Sequence, residues 1–498
     1  MSNVFQHFTQ HHQESKPFLI APTGQPIATY GDLHRSTAQY LSALISLGLQ
    51  PGDRVAVQVE KSAEVLFLYF ACLRGGFIYL ALNTAYQKEE VRYFLSDAEP
   101  ALFVADPSKA EETLSVGAAK VLSLDAKGQG SLRDLADESE LTDHVEPVSA
   151  DDTAVILYTS GTTGLPKGAM ITHGNIVANT ETLCEAWDWR SDDVMLHALP
   201  IFHVHGLFIG THLPVLKGSS IIFLPQFDPE TVLQQMSRAT VFMGVPTYYT
   251  RLLSAGINAK QAQGMRLFTS GSAPLLPQTF TAFEEATEHV IVERYGMTET
   301  GMNTSNPVYG QRKAGTVGPA LKDVSYRIVD GNGASLPQGK PGQLQVKGPN
   351  VFKGYWRKEA QTQAAFTADG YFDTGDVAQT DADGYVSIVG REKDLIITGG
   401  LNVYPKEIET LIDRFEGVLE SAVIGVPHPD FGEAVTAVIV GDGQSEIDGT
   451  HLIQSLKDTI ANFKVPKRAI IVDQLPRNTM GKVQKNVLRD DYRDLYSS

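Results

Sequence analysis

The run Tyr158-Thr159-Ser160-Gly161-Thr162-Thr163-Gly164-Leu165-Pro166-Lys167-Gly168 constrains this chain more than any other stretch. It sets four Ser/Thr hydroxyls, three glycines and one lysine between an apolar run and a helical pattern. Thr153 to Tyr158 reads as a buried strand, and Ile176, Val177, Leu183 and Trp187 recur at helix-compatible spacing. Glycines let backbone N–H groups approach a polyphosphate, the hydroxyls add neutral donors, and Lys167 adds positive charge. No Gly-Lys-Ser/Thr closes the run, so it is not a Walker A loop. A polar surface loop would carry the same residues, and the rest of the chain has to decide between the two.

Strand and helix signals alternate through most of the length, which is the α/β pattern. Asp32 is expected to cap a helix carrying Leu33, Leu41, Leu44 and Ile45, stopped by Gly48 and Pro51. Strands are expected at Arg54 to Val59, Ser220 to Leu224, Thr240 to Met243, Leu267 to Thr269 and Val290 to Glu293. From about Gly315 to Gly390 short strands separated by Gly, Asp and Pro predict a β-rich subdomain. Alternation restarts after Asp394, with strands near Ser421 to Val426, Val435 to Val440 and Ala469 to Val472. A tail of that size can form a small domain of its own. At 498 residues the chain is too long for one core.

A net charge of −17 argues against a general nucleic-acid binder, so any anion chemistry must use locally gathered lysines and arginines. Cys72 and Cys184, the two cysteines, offer neither a disulfide framework nor metal-ligand spacing, which suits a reducing compartment. No apolar run reaches membrane-spanning length and the polar N-terminus has no signal core; the expectation is a cytoplasmic protein that does not bind membranes.

Four further segments join the opening run. Ser270-Gly271-Ser272-Ala273-Pro274 follows a strand as a close-approach turn. Glu293-Arg294-Tyr295-Gly296-Met297-Thr298-Glu299-Thr300 gathers a ring, a hydroxyl and a carboxylate. Tyr371-Phe372-Asp373-Thr374-Gly375-Asp376 ends in an acid suited to ribose hydroxyls. Pro476-Arg477-Asn478-Thr479-Met480-Gly481-Lys482 sets a lysine after a glycine. Together, and in this order, they resemble the adenylate-forming superfamily of acyl-CoA synthetases, luciferases and peptide-synthetase adenylation domains.

That resemblance implies an α/β fold. A large N-terminal adenylation domain of α/β layers with a β-rich subdomain would span 1–393, and a small mobile α+β C-terminal domain 394–498. It implies ATP, Mg²⁺ and coenzyme A, and two half-reactions: a carboxylate attacks the ATP α-phosphate, then a thiol displaces AMP. Lys482 would bridge carboxylate and α-phosphate, two anions that otherwise repel. Thr159, Ser160, Gly161, Thr162, Thr163 and Gly164, with Lys167, would wrap pyrophosphate. Thr298 would contact the α-phosphate and Glu299 would help hold Mg²⁺. Gly271, Ser272, Arg294 and Tyr295 would frame the nucleotide, and Asp376 and Arg391 the ribose. Asp394 matches the family's hinge, with Gly399 and Gly400 lining the pantetheine arm. Plant coumarate ligases tend to have Lys where Gly399 stands, so CoA contacts there are not carried over.

The acid pocket would be bordered by His197 to Gly210, Val241 to Leu253 and Met297 to Asn306, with His203, Arg251, Met297 and Met302 as substrate residues. His203 and His205 lack a third ligand pattern, so a metal there is disfavoured. Arg251 suits a second carboxylate better than a fatty tail, although residue type alone would point it outward. Leu82 to Tyr86, Met243 to Leu253, Met302 to Pro307 and Asn478 to Asn486 resemble bacterial malonyl-CoA synthetases, with Ala81 standing where proline is expected. The resemblance therefore implies malonate, ATP and CoA as substrates, with methylmalonate as a second acid. Acylation of Lys482 would erase its charge, which would make lysine acyltransferases and deacylases further partners. Another short-acid ligase, an enzyme loading a carrier protein, a luciferase-type oxygenase and a non-catalytic nucleotide binder stay open as alternatives.

Overall fold

The computed structural model describes residues 2–109, 120–159, 166–398, 401–445, 447–457, 459–460, 462–478 and 481–496. Among these the chain divides into two compact units. One holds Met1–Ser325 with Val346–Phe372, the other Tyr326–Gln345 with Asp373–Ser498.

Two large sheets build the first unit among the described residues. The eight-stranded sheet runs in the order Gly301–Ser305, Val292–Met297, Leu267–Ser270, Val241–Gly244, Val194–His197, Ser220–Phe223, Pro17–Ile20, Pro26–Thr29. The seven-stranded sheet runs Gly354–Tyr355, Lys167–Thr172, Thr153–Thr159, Ile78–Ala81, Arg54–Gln58, Leu102–Ala105, Val121–Ser123. Their central strands are parallel and buried on both faces, which is why their middles are mostly apolar. The helix Ala63–Arg74 follows the strand Arg54–Gln58; Ser62 caps it, and every residue from Val65 to Arg74 is buried.

Local chemistry sets the helix starts. Thr29, not Asp32, caps the helix Tyr30–Ser46: the Thr29 hydroxyl accepts from Asp32 N, and the Asp32 carboxylate accepts from Thr29 N at 2.8 Å. Asp32 is the third helical residue of a reciprocal capping pair, so the expected cap lies three residues too late. Gly48, at φ +84°, breaks the chain away as expected. A second difference concerns the opening run. It does not pass straight into a helix, because Lys167–Thr172 first folds back as a strand antiparallel to Thr153–Thr159. The helix His173–Ala186 then starts on a Thr172/Asn175 capping pair. The strand expected at Val290 to Glu293 lies later, at Val292–Met297.

The β-rich stretch holds the strands Ser325–Val329, Gly342–Lys347, Phe372–Thr380 and Val386–Arg391 in one sheet, and also a short helix, Glu359–Ala365. In the second unit Leu401–Val403, Ile396–Thr398, Gly432–Gly441, Val418–His428 and Arg468–Val472 form a further sheet. Its core gathers Ile396, Val403, Ile408, Val423, Val435 and Ile439. Among the described residues no helix is long and apolar enough to cross a membrane. Cys72 and Cys184 are free and buried.

Candidate active site

The fold-back of Lys167–Thr172 sets Thr159 directly opposite Lys167, at the two ends of the opening run. Ser160, Gly161, Thr162, Thr163 and Gly164 lie outside the described residues. Thr159 donates its hydroxyl to Glu299 Oε1 at 3.3 Å, and the Tyr355 phenol donates to the same oxygen at 3.1 Å. The Lys167 ammonium stands 4.5 Å over the Tyr355 ring. Thr159, Lys167 and Glu299 therefore meet around Tyr355, which the sequence did not single out; the Gly354–Tyr355 strand brings it in by pairing with Ala169 and Met170. Burial, with the Glu299 carboxylate beside it, pushes the Tyr355 phenol upward, so it stays a donor.

Glu299 is buried, and two neutral hydroxyls donate to its Oε1, which leaves a carboxylate set among oxygen groups. That donor set fits Mg²⁺, which takes one or two protein carboxylates and completes its shell with phosphate and water. Among the described residues no cluster of three His, Cys, Asp or Glu forms a full protein cage for a metal.

Thr298 and Glu299 sit in the turn between Val292–Met297 and Gly301–Ser305. Asn179 holds this hairpin, donating to Met302 O at 2.9 Å and accepting from Met302 N at 3.0 Å. Met302 is buried and Met297 half-buried. A cleft opens beside the turn, lined by Thr298, Gly301, Asn179, Phe208, Ile209 and His212 among others.

Leu267–Ser270 delivers Gly271 and Ser272, the latter at φ +73°. A side chain at Gly271 would collide with the Arg294 guanidinium, so glycine there makes room for the arginine. Arg294 is buried, and its Nε and NH2 nitrogens have no hydrogen-bond partner. Burial pulls its pKa down to about 10. The adjoining Ser270 Oγ and His205 Nε2 are also buried without partners, while His205 Nδ1 lies 3.3 Å from Ser272 Oγ. Buried polar atoms left unpaired together mark where a ligand would complete them. Tyr295, half-buried, stands opposite Thr304 in the same hairpin.

His203 is half-buried, and its Nδ1 accepts from His205 N at 3.5 Å. Arg251 lies on the exposed face of the helix Pro246–Ser254, whose buried face is Tyr249 and Leu252. The arginine enclosed among unpaired polar atoms is Arg294. Its signal in the sequence is an arginine between Glu293 and Tyr295 within a strand.

In the second unit Asp376 and Arg391 face each other across two strands, with Arg391 Nε 2.9 Å from Asp376 Oδ1. Lys482 stands in a tight hairpin: its N donates to Asn478 Oδ1, and Asn478 N donates to its carbonyl, both at 2.9 Å. Gly481, at φ +73°, turns the chain, and Arg477 caps the Gly481 carbonyl while pairing with Glu420. Thr479 and Met480 lie outside the described residues. Burial, then the charge of Arg391, pulls the Lys482 pKa down to about 8, against opposing pulls from Asp376 and Asp394. Asp394 ends the turn Glu392–Asp394 and pairs with Arg489. Gly399 and Gly400 lie outside the described residues.

A family model described as AMP-binding enzyme matches residues 5–356, and one described as AMP-binding enzyme C-terminal domain matches residues 407–482. The chain is 36% identical to a feruloyl-CoA synthase from Amycolatopsis sp over 471 residues, 94% of each chain. It is 34% identical to a malonate–CoA ligase from Arabidopsis thaliana over 483 residues, 89% of this chain and 78% of that one. The crystal structure of ATP-bound MatB from Rhodopseudomonas palustris is 50% identical, covers 100% of both chains and superposes at a TM-score of 0.98.

Proposed function

The chain belongs to the AMP-binding enzymes and is an ATP-dependent acid–CoA ligase, and we propose that its acid is malonate. One observation carries the choice of acid: the buried Arg294, with two nitrogens unpaired in a setting of other unpaired polar atoms. A buried guanidinium without an anion is costly, and the second carboxylate of a short dicarboxylate would supply one in a charge-assisted pair. A monocarboxylate would leave that charge unmet. Arg251, on the exposed helix face, is assigned to the pocket rim.

One malonate carboxylate oxygen attacks the α-phosphorus, the Pα–O bond to the departing pyrophosphate breaks, and malonyl-AMP forms. Lys482 offsets the negative charge gathered between the two anions. Thr159 and Lys167 hold the pyrophosphate end, Thr298 meets the α-phosphate, and Asp376 with Arg391 takes the ribose. Gly271, Ser272 and Tyr295 frame adenine, and His203, Met297 and Met302 shape the acid's side. Glu299 would hold Mg²⁺, which when bound neutralises phosphate charge. The CoA sulfur then attacks the acyl carbon, its proton goes to solvent, the carbon–oxygen bond to AMP breaks, and malonyl-CoA leaves.

The two half-reactions are assigned to domains 1–393 and 394–498, moving about Asp394, with Gly399 and Gly400 serving the thiol step. Asp394→Pro then slows thioester formation while sparing pyrophosphate exchange; equal loss of both steps would remove the hinge. Control by acylation of Lys482 is part of the same reading, and intact activity after complete modification there would end it. Methylmalonate is the expected second acid, since one methyl group is worth only about 1–3 kcal/mol of discrimination. AMP release with CoA, measured over malonate, methylmalonate, succinate, propionate, butyrate and ferulate, tests the assignment. Malonate should lead on kcat/KM; a lead for any monocarboxylate would refute it.

A further inference from the structure

Lys61 is a buried lysine that no step above uses. It lies between the strand Arg54–Gln58 of the seven-stranded sheet and the helix Ala63–Arg74. Its ammonium reaches into the other large sheet. Nζ lies 2.7 Å from His197 Nδ1, 3.0 Å from His197 O and 3.0 Å from Leu199 O, with the Phe223 ring 4.4 Å below. Among the described residues no carboxylate pairs with it. Burial pulls the amine's pKa well down, while three acceptors, each needing a proton, hold the ammonium form.

The proton count continues through His197, which is fully buried. Its Nε2 lies 2.9 Å from Gly206 O, a pure acceptor, so Nε2 carries the ring proton and Nδ1 accepts from Lys61. Gly206 belongs to the π-helical turn His205–Ile209. A π turn displaces the helical hydrogen-bond register and occurs mostly at functional positions. Here the His197 ring donates to the Gly206 carbonyl, and the Thr211 hydroxyl donates to the next carbonyl, Leu207 O. One unbroken chain thus runs from Lys61 through His197 to the turn that carries His205 and Ile209.

All three Lys61 donors go to residues 197–199, where the strand Val194–His197 of the eight-stranded sheet ends. Lys61 follows the carboxyl end of its own strand. The ammonium therefore staples two sheets together at their carboxyl edges, where open α/β sheets build ligand sites. The segment it grips leads to His203, then to His205 against Ser272, then to Ile209 in the cleft beside Thr298.

We infer that Lys61 is a positioning residue for acid activation, acting through His197 to fix the 198–209 segment along the acid pocket. The inference rests on the reading that this segment borders the acid. Pyrophosphate exchange driven by the enzyme's best acid tests it, with KM measured separately for acid and ATP and melting followed in parallel. Lys61→Met should raise the acid KM about tenfold or more with the ATP KM within about twofold. His197→Leu should do the same, the double variant should add nothing to either single one, and His197→Gln, which can still accept from Lys61 and donate to Gly206, should restore the acid KM. If Lys61→Met does not fold, the His197→Leu and His197→Gln pair decides alone.

His203→Ala separates the two claims. A moved acid KM in that variant with an unmoved one in Lys61→Met, or acid and ATP KM rising together, would overturn the positioning role. An unmoved acid KM in all variants would overturn the role of the segment as well.

Discussion

The two units use cations in opposite ways. In the second, positive side chains around the lysine hairpin are tied to carboxylates: Arg477 to Glu420, Lys485 to Glu409, Arg489 to Asp394 and Arg391 to Asp376. In the first, Arg294 and Lys61 are buried with no carboxylate partner among the described residues; Lys61 is held by carbonyl oxygens and a ring nitrogen, and Arg294 keeps nitrogens with no partner. A carboxylate fixes a cation in place but cancels its charge, whereas a carbonyl or imidazole fixes it and leaves the charge in force. Arg294 keeps nitrogens open to an anion, while Lys61 holds a segment of chain in place. The second unit is a neutralised frame around one lysine.

On that contrast Lys482→Ala has the largest effect, because the arginines named beside it are already paired with carboxylates. Pyrophosphate exchange should fall by about 10³, on the order of 4 kcal/mol of barrier, a loss like that of an oxyanion-stabilising donor. Full exchange would show that the frame itself carries the chemistry.

Arg294→Met comes next. The malonate kcat/KM should drop by about 10²-fold, the scale of an unpaired buried charge–charge contact, while activity with propionate holds or rises. A uniform loss across acids would make Arg294 a nucleotide residue only.

A smaller effect separates the frame from the lysine by pH. With its pKa pulled to about 8, free-enzyme Lys482 loses its proton as pH rises through that value. The kcat/KM for acid should then fall about tenfold per pH unit above about 8, whereas an ordinary lysine would hold its plateau to about 10.

The smallest lies within the frame. Burial pushes the Asp413 carboxyl up to about 6, with Ser421 Oγ donating to it at 2.7 Å. A raised folded pKa gives stability that is present below the unfolded value near 4 and lost as pH rises through about 6. Asp413→Asn should therefore raise the melting temperature by roughly a few degrees at pH 8 and leave it unchanged near pH 4. Destabilisation at pH 8 would mean that the ionised carboxylate is part of the frame.

How much of this was readable from residues alone differs by range of interaction. Parallel central strands such as Val241–Gly244 and Leu267–Ser270 were plain, since burial on both faces leaves a short apolar run between turn signals. Lys167–Thr172 was missed as a strand because its pairing is with Thr153–Thr159, not with anything in its own pattern. The sequence points to Asp32 where Thr29 holds the cap, because either residue type caps well and only the reciprocal hydrogen bonds decide. At the site, motif order located Glu299, Thr159 and Lys167, but not Tyr355, which arrives through a two-residue strand far along the chain. Arg251 and Arg294 looked alike as letters; burial tells them apart, and burial is a tertiary property. Lys61 had no signal at all, because its partner lies 136 residues away.

The hairpin that carries Thr298 and Glu299 has a bearing on redesign. A Cβ at Gly296 would land on the carbonyl oxygen of Gly301, backbone against backbone, with Met302 close behind. No rotamer can relieve that overlap, so efforts to widen the range of acids should leave position 296 untouched. On the proposed reading of the acid side, variation belongs at Ile209, which lines the cleft from a different element.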